Sequence, residues 1–351
     1  MMTEKIVQDS RASRTARTKS SRYHGKLARA RANLNRLLSA PIRYSANGKK
    51  VVSHATINDR NKCFGKMIRD LHALGYKLVE LDNLKPKHIQ ALVSLWETQG
   101  LSASSLQKRF SYLRLLCQWL GKPGLVGEPA RYLQDPSRYQ RDYAARQDKS
   151  WQGQGVDQAA VIARVEAKDP RVALVLRLIF AFGLRVQEAS LFRPQWDDLG
   201  DHIQVIAGTK GGRPRVVPID NDEQRAVLQQ VRQVSVQTGR SLIPKTRTLK
   251  QWLRHVYYVL DACGVNRKHG VVAHGGRHAY AHTVFEQLTG EPSAVRGGSG
   301  RQLTRSQERA ARLEVSARLG HVRESVTSAY YGPVMTGRQR RRHRAQTTGK
   351  R

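Results

Sequence analysis

Apolar residues recur at three- and four-residue intervals over much of the chain, the spacing of helices that bury one face. Leu27, Ala30, Leu34, Leu37 and Leu38 form the first stripe, and Pro41 ends it. Ile57, Phe64, Ile68, Leu71 and Leu74 form a second, closed by Gly75; Pro86 opens a third with Ile89, Leu92, Val93 and Trp96; and Ser102 or Ser104 caps a fourth with Leu106, Phe110, Leu113, Leu116 and Leu120. Short connections between such stripes predict a compact helical bundle. Further on, Asp157 opens another helix, and Asp169, Pro170 and the apolar run 172–182, stopped by Gly183, describe a buried one. The period then changes. Ile203, Val205 and Ile206 give residues 202–207 an alternating character, 215–219 are β-branched, and Gly208-Thr209-Lys210-Gly211-Gly212 between them predicts a hairpin. Helical spacing returns over 222–239 and 246–264, the latter with Leu249, Trp252, Leu253, Val256, Tyr257 and Leu260 as its core face. Thr304 and Gln307 have capping-box spacing for a helix reaching Leu319; Gly320 stops it, and Ser325 is the expected N-cap of a short final helix ending at Gly332-Pro333.

These elements predict a mainly α protein with a small antiparallel β-sheet. Residues 1–44 read as a basic arm and helix, 45–121 as a helical domain, 122–155 as a Pro- and Gly-bearing linker, 156–335 as an α+β domain and 336–351 as a basic tail. Around Tyr132 and Tyr139 the linker is expected to pack on a domain or, the chain being strongly basic as a nucleic-acid binder is, to follow a DNA strand. Residues 289–301 form a Gly-, Ser- and Arg-bearing surface insertion whose basic residues are candidates for DNA or a neighbouring subunit.

Charge narrows the function. The 351 residues carry 62 Lys and Arg against 27 Asp and Glu, a net charge of +35. So large an excess repels itself unless a polyanion neutralises it, which makes nucleic acid the leading partner and acidic lipid the second. No apolar run is long enough to span a bilayer, and the first residues lack the apolar core of a secretory signal, so a cytoplasmic, nucleoid-associated protein with no membrane partner is expected. Cys63, Cys117 and Cys263 are far apart and without Cys-x-x-Cys spacing, which reads as reduced packing residues. The histidines form no metal-ligand grid, so neither metal nor cofactor is expected.

The candidate chemistry lies mostly near the C-terminal end. His274 and Arg277, three residues apart, share a helical face and suit a phosphate; His321 adds a donor and Tyr330 a nucleophile. On one unbroken helix His321 and Tyr330 would face opposite ways, so the chain must bend between them if both serve one site. Arg185 opens a helix after Gly183, where an anion is favoured, with Glu188 placed to orient it. His278 is expected to be structural or a supporting neighbour. Lys66, Lys108, Arg109 and Arg114 read equally as phosphate contacts or as a solvated helix face, while Arg213 and Arg215 are assigned to phosphate.

The segments 182–188, 209–212, 274–278 and 319–330 resemble, in order, the motif series of the tyrosine recombinases, the phage-integrase family, over roughly residues 156–332. The resemblance implies a core-binding (SAM-like) helical domain and a catalytic domain that together clamp DNA. It also implies cleavage and rejoining through a covalent 3′-phosphotyrosyl intermediate without metal or ATP. Arg185 and Arg277 would then clamp the phosphate, His274 and His321 would donate hydrogen bonds or manage the tyrosine's proton, Lys210 would protonate the leaving oxygen, and Tyr330 rather than Tyr331 would attack. Implied partners are attachment-site DNA, a homo-tetramer that exchanges C-terminal tails, and an accessory bending or directionality factor. The basic arm, tail and insertion favour an integrase of a mobile element; a type IB topoisomerase-like enzyme and a non-catalytic DNA-binding regulator are the alternatives. Gly275 and Gly276, where the family more often has apolar residues, are expected to loosen the helix that carries Arg277.

Overall fold

The structure, a computed structural model, describes residues 25–238, 240–321 and 323–335. The basic arm before residue 24 and the tail after residue 335 lie outside them. The chain divides into two compact units, one up to Asp142 and one from Tyr143.

The first unit is helical: α1 over 25–38, α2 at His54–Ala73, α3 at Pro86–Thr98 and α4 at Ala103–Trp119. Ser53 accepts from the Thr56 amide and Ser102 from the Ser105 amide, so the two serines satisfy free N–H groups at the starts of α2 and α4. The apolar stripes meet in one core containing Leu34, Phe64, Ile68, Trp96, Phe110 and Leu113. Trp96 meets Phe110 edge to face at 5.8 Å, a favoured aromatic geometry. Tyr132 and Tyr139 pack against the same core, Tyr139 lying edge-on to Phe110 at 5.5 Å. Trp151 is buried in the core of the other unit. The 122–155 stretch is thus shared between the two units.

The second unit is built around α6, Pro170–Phe182, whose apolar run is buried on nearly every side. Helices α5 (Gln158–Lys168), α9 (Asp222–Thr238) and α11 (His274–Thr289) pack against α6. The short α7 (Val186–Leu191) and α8 (Pro194–Asp197) lead to β1 (His202–Val205) and β2 (Arg215–Pro218). These strands pair antiparallel with His202 opposite Pro218 and Val205 opposite Arg215, which puts Arg215 and Val217 on the inner face. Helices α10 (Leu249–Ala262), α12 (Arg305–Arg318) and α13 (Ser328–Tyr331) complete the unit.

Two local expectations differ from the structure. Tyr257 is exposed, and Val259 joins Trp252, Val256 and Leu260 in the buried face of α10. Ser325 does not cap the final helix: a 3-10 turn over Glu324–Thr327 makes the bend, and α13 begins at Ser328 without a side-chain cap. Among the described residues no helix is long and apolar enough to cross a membrane.

Candidate active site

The site forms where four chain segments meet at the start of α11. Gly183 ends α6 with φ +61°, and a Cβ there would lie 2.4 Å from the Tyr280 ring, so only glycine fits the turn. Its carbonyl accepts from Arg277 Nη1. Gly275 and Gly276 do not loosen α11. A Cβ at Gly275 would sit 2.5 Å from Trp151, and one at Gly276 would sit 2.9 Å from Phe180. Their missing side chains let the first turn pack tightly onto those rings, and Trp151 itself is tied by its indole N–H to the Val272 carbonyl at 2.8 Å.

Arg277 is fully buried. Its Nε donates to the Tyr330 hydroxyl at 3.2 Å, its Nη2 donates to the Leu319 carbonyl, and the same Nη2 lies 3.4 Å from His321 Nε2. His321 Nε2 is in turn 3.3 Å from the Tyr330 oxygen. A guanidinium can only donate. His321 Nε2 therefore offers its lone pair to this corner, which leaves the ring proton on Nδ1. Burial holds the Arg277 pKa below its ordinary value, and the adjoining Tyr330 oxygen offsets only part of that.

Beneath Arg277 lies Glu188, also buried. It accepts from the Arg185 amide at 2.8 Å and from Arg185 Nη1 at 2.5 Å, closing a capping box at the start of α7. It also accepts from both terminal nitrogens of Arg215, at 3.0 and 2.6 Å, and stands 4.0 Å from Arg277. Burial alone would raise this carboxyl, but the hydrogen bonds and charges of Arg215 and Arg185 overcome it and hold the pKa at about 2.

This is the principal correction to the reading from sequence. Arg215, expected on a phosphate, is buried; it grips Glu188 and sends its Nε to the Arg318 carbonyl at 2.8 Å. The alternation of β2 carried the signal, because Arg215 shares a strand face with the buried Val217. Arg185 keeps its guanidinium partly open, 23% exposed. Lys210 and Arg213 stand exposed in the connection between β1 and β2.

The histidines are held neutral at pH 7. Burial draws His321 down to about 4, and the charges of Arg277, Arg185, Arg215 and Lys210 act in the same direction. His278, buried with its ring 4.6 Å from the Tyr330 ring, falls to about 3, first from burial and then from the neighbouring His274 and His282. His274 lies at the open mouth of the site; partial desolvation, then Arg277, Arg185 and Lys149, bring it to about 4.

Both tyrosines are buried, Tyr330 with 4% of its surface exposed, and they differ in where their hydroxyls go. Tyr331 is fully buried, donates to the Ala281 carbonyl at 2.9 Å and packs on Phe285 at 4.6 Å, and burial raises its pKa well above the usual range. It anchors α13, while Tyr330 turns its hydroxyl to the arginine and histidine. Arg185, His274, Arg277, His321 and Tyr330 are thus brought to one place, with Glu188 and His278 in support. The four candidates in the first unit all have partners within it. Lys66 pairs with Asp70 at 2.9 Å and Lys108 with Asp59 at 3.2 Å, Arg109 lies over the Trp96 ring at 5.4 Å, and Arg114 donates to the Gly127 carbonyl at 3.0 Å. Arg109 and Arg114 are accordingly spent on packing as much as on surface charge.

A SAM-like helical unit followed by an integrase-type catalytic domain is the class that this fold and site define. Residues 37–126 match the family described as phage integrase, N-terminal, and residues 148–283 match the family described as integrase. The chain belongs to the phage-integrase, or tyrosine recombinase, family. The second match ends within α11, so His321 and Tyr330 lie beyond it. Tyrosine recombinase XerC of Xylella fastidiosa is 33% identical over 162 residues, covering 43% of this chain and 51% of the relative. Tyrosine recombinase XerA of Thermococcus kodakarensis is 33% identical over 122 residues, 33% of this chain and 42% of the relative. The chain spans about half the length of the curated relatives it matches. In fold it resembles the Tn1549 transposon integrase bound to transposon right-end DNA, with a TM-score of 0.55 at 13% identity, covering 88% of this chain and 98% of that one. It also resembles a lambda integrase dimer bound to a COC′ core site, with a TM-score of 0.54 at 15% identity, covering 86% and 94%.

Proposed function

We propose that this chain is a site-specific DNA recombinase that cleaves and rejoins strands through a 3′-phosphotyrosyl intermediate. The observation that carries the reading is the Tyr330 hydroxyl, held between Arg277 Nε at 3.2 Å and the lone pair of His321 Nε2 at 3.3 Å. The arginine stabilises a developing phenolate, and the neutral imidazole accepts its proton. Tyr330 Oη bonds to phosphorus, the bond from phosphorus to the 5′ oxygen breaks, and Lys210 supplies the proton that the leaving oxygen needs. Arg185 and His274, the open members of the site, hold the non-bridging oxygens, where a guanidinium suits paired phosphate oxygens. Both terminal nitrogens of Arg277 are committed to backbone carbonyls in the free protein. Its service in this arrangement is therefore to the tyrosine oxygen, and a direct grip on phosphate requires the cluster to open.

The incoming phosphodiester offsets the crowded arginine charge and so raises the affinity of His321 for the proton it receives. Attack by a 5′ hydroxyl from a partner strand reverses these steps, and the bond energy is kept in the intermediate throughout. The substrate we assign is a pair of double-stranded attachment sites acted on by a tetramer. Supporting it are the net charge of +35 and the DNA complexes of the fold neighbours, including a lambda integrase tetramer on a Holliday junction. We assign the biological setting to the integration and excision of a mobile element, for which the transposon and phage integrases among those neighbours are the support.

The test uses a nicked site that releases its short fragment and so traps the intermediate. The parent protein is expected to accumulate a protein–DNA adduct, while Tyr330→Phe binds the same DNA and forms none. An adduct that persists in Tyr330→Phe rejects the reading.

A further inference from the structure

The insertion at 289–301 takes no part in the chemistry above, yet it is folded into a closed loop. The buried carboxylate of Glu291 accepts from the Gly300 amide at 2.9 Å and the Gln302 amide at 2.8 Å, which draws the far end of the loop back to its start. Arg296, a candidate for DNA contact, points inward instead. Its Nε donates to Asp148 at 2.8 Å, its Nη1 to Glu286 at 3.2 Å and its Nη2 to the Ser150 hydroxyl at 3.2 Å. Ser293 Oγ lies 2.9 Å from His282 Nδ1, and His282 Nε2 lies 3.2 Å from Asp148. Ser293 and His282 have no exposed surface, so no substrate reaches this serine, histidine and aspartate. The network serves to hold something in place.

What it holds is α13. The Ala145 amide donates to the Ser328 carbonyl at 2.8 Å, fixing the start of that helix. At its end, a Cβ on Gly332 would meet both the Ala145 carbonyl and Val295 Cγ1 at 3.0 Å. Asp148 and Arg296 join the two sides of this seat, and the His282 ring packs on Tyr331 at 5.5 Å. A helix of four residues has too few hydrogen bonds of its own to hold a position, so its surroundings must supply one.

We propose that the 289–301 loop is a positioning brace for the DNA-cleaving tyrosine: Val295 and Arg296 set where α13 sits, and so how the Tyr330 hydroxyl meets the phosphate. The inference rests on the function proposed above. Val295 and Arg296 touch neither substrate nor reacting atoms, and both are positioning residues.

Two arms test it, both on the full chain. In the first, single-turnover cleavage of the nicked site at saturating DNA is measured for the parent, Val295→Ala, Arg296→Ala and Arg296→Lys. A misplacement near 1 Å costs on the order of 100-fold in rate. Val295→Ala, which leaves the ion pairs intact, is expected to lower the saturated rate at least tenfold with DNA affinity within twofold of the parent. Arg296→Lys is expected to recover part of what Arg296→Ala loses. The second arm needs no activity: 3-fluorotyrosine at position 330 is followed by fluorine NMR in the DNA-free protein. One narrow line is expected in the parent, shifted or split in Val295→Ala. A parental cleavage rate in Val295→Ala, weaker DNA binding with the saturated rate intact, or an unchanged fluorine line overturns the brace. A parent that forms no adduct rejects the recombinase function instead, and the fluorine line still decides the positioning.

Discussion

Replacing Glu188 by glutamine keeps its shape and removes its charge, and the structure sets the size of the effect. The carboxylate is buried and receives four hydrogen bonds, two from Arg185 and two from Arg215. Its pKa of about 2 lies below its ordinary 4.5. A depressed carboxyl contributes stability that is present above pH 4.5 and lost as pH falls toward 2, here on the order of 3 kcal/mol. The amide that replaces it would turn an N–H toward the donors of Arg215, whose side chain is only 4% exposed, stranding a buried cation at a cost of about 3–5 kcal/mol. Urea unfolding is the assay, with the transition of the second unit analysed separately because the two units need not unfold together. With a slope of about 3 kcal/mol per molar, the midpoint of Glu188→Gln should fall by about 1 M or more. The double variant Glu188→Gln with Arg215→Met removes the stranded charge and should be more stable than Glu188→Gln alone. A single variant within about 0.5 kcal/mol of the parent refutes the reasoning. So does a double variant whose loss is the plain sum of the two single losses, because stranded charge must make them non-additive.

Other expectations concern acid, packing and the second tyrosine. His278 and His282 are buried, and burial first and then neighbouring charge draw their pKa values to about 3 and about 4. Both lie below the ordinary 6.5, so only the unfolded chain gains protons as pH drops below that value. Stability should fall by about 2 kcal/mol per histidine between pH 7 and pH 5, measured as the unfolding midpoint against pH; a flat profile over that range contradicts it. Tyr331→Phe should cost about 1 kcal/mol through its lost bond to the Ala281 carbonyl and still form the DNA adduct, as checked by denaturing electrophoresis. Gly183→Ala should destabilise by about 3 kcal/mol, since its methyl would fall 2.4 Å from Tyr280 and 2.8 Å from Leu319 in a left-handed turn. It should also slow cleavage, because the Gly183 carbonyl anchors Arg277.

Much of this fold could be read in the sequence because its signals are local. Asp169, Pro170 and Gly183 bracket α6 at the residues where the structure begins and ends it. Thr304 and Gln307 form the capping box that starts α12. The hairpin follows from alternation interrupted by glycines. What was not legible depends on contacts between distant segments. Arg215 looked like a surface cation because its partner, Glu188, lies 27 residues away on another element. Gly275 and Gly276 looked like a weakness in α11, since nothing local announces that Trp151 and Phe180 will press on them. Trp151 sits in a stretch whose prolines and glycines suggested a linker, although its indole reaches 121 residues along the chain to Val272. The insertion misled for the same reason: Arg296 meets Asp148 from 148 positions away. The candidate site residues stand out in the sequence by their spaced types, and the preference for Tyr330 over Tyr331, implied there by the family resemblance, gains support from the packing of α13, which ties the Tyr331 hydroxyl to the Ala281 carbonyl.

The most direct test of the account is to trap the intermediate of the unaltered protein on a nicked site, digest it, and identify by mass spectrometry the residue that carries nucleotide. The account predicts a 3′-phosphate joined to the Tyr330 oxygen and a free 5′ hydroxyl on the released strand. Nucleotide on Tyr331 or on any other side chain, or a linkage through a 5′-phosphate, would contradict it.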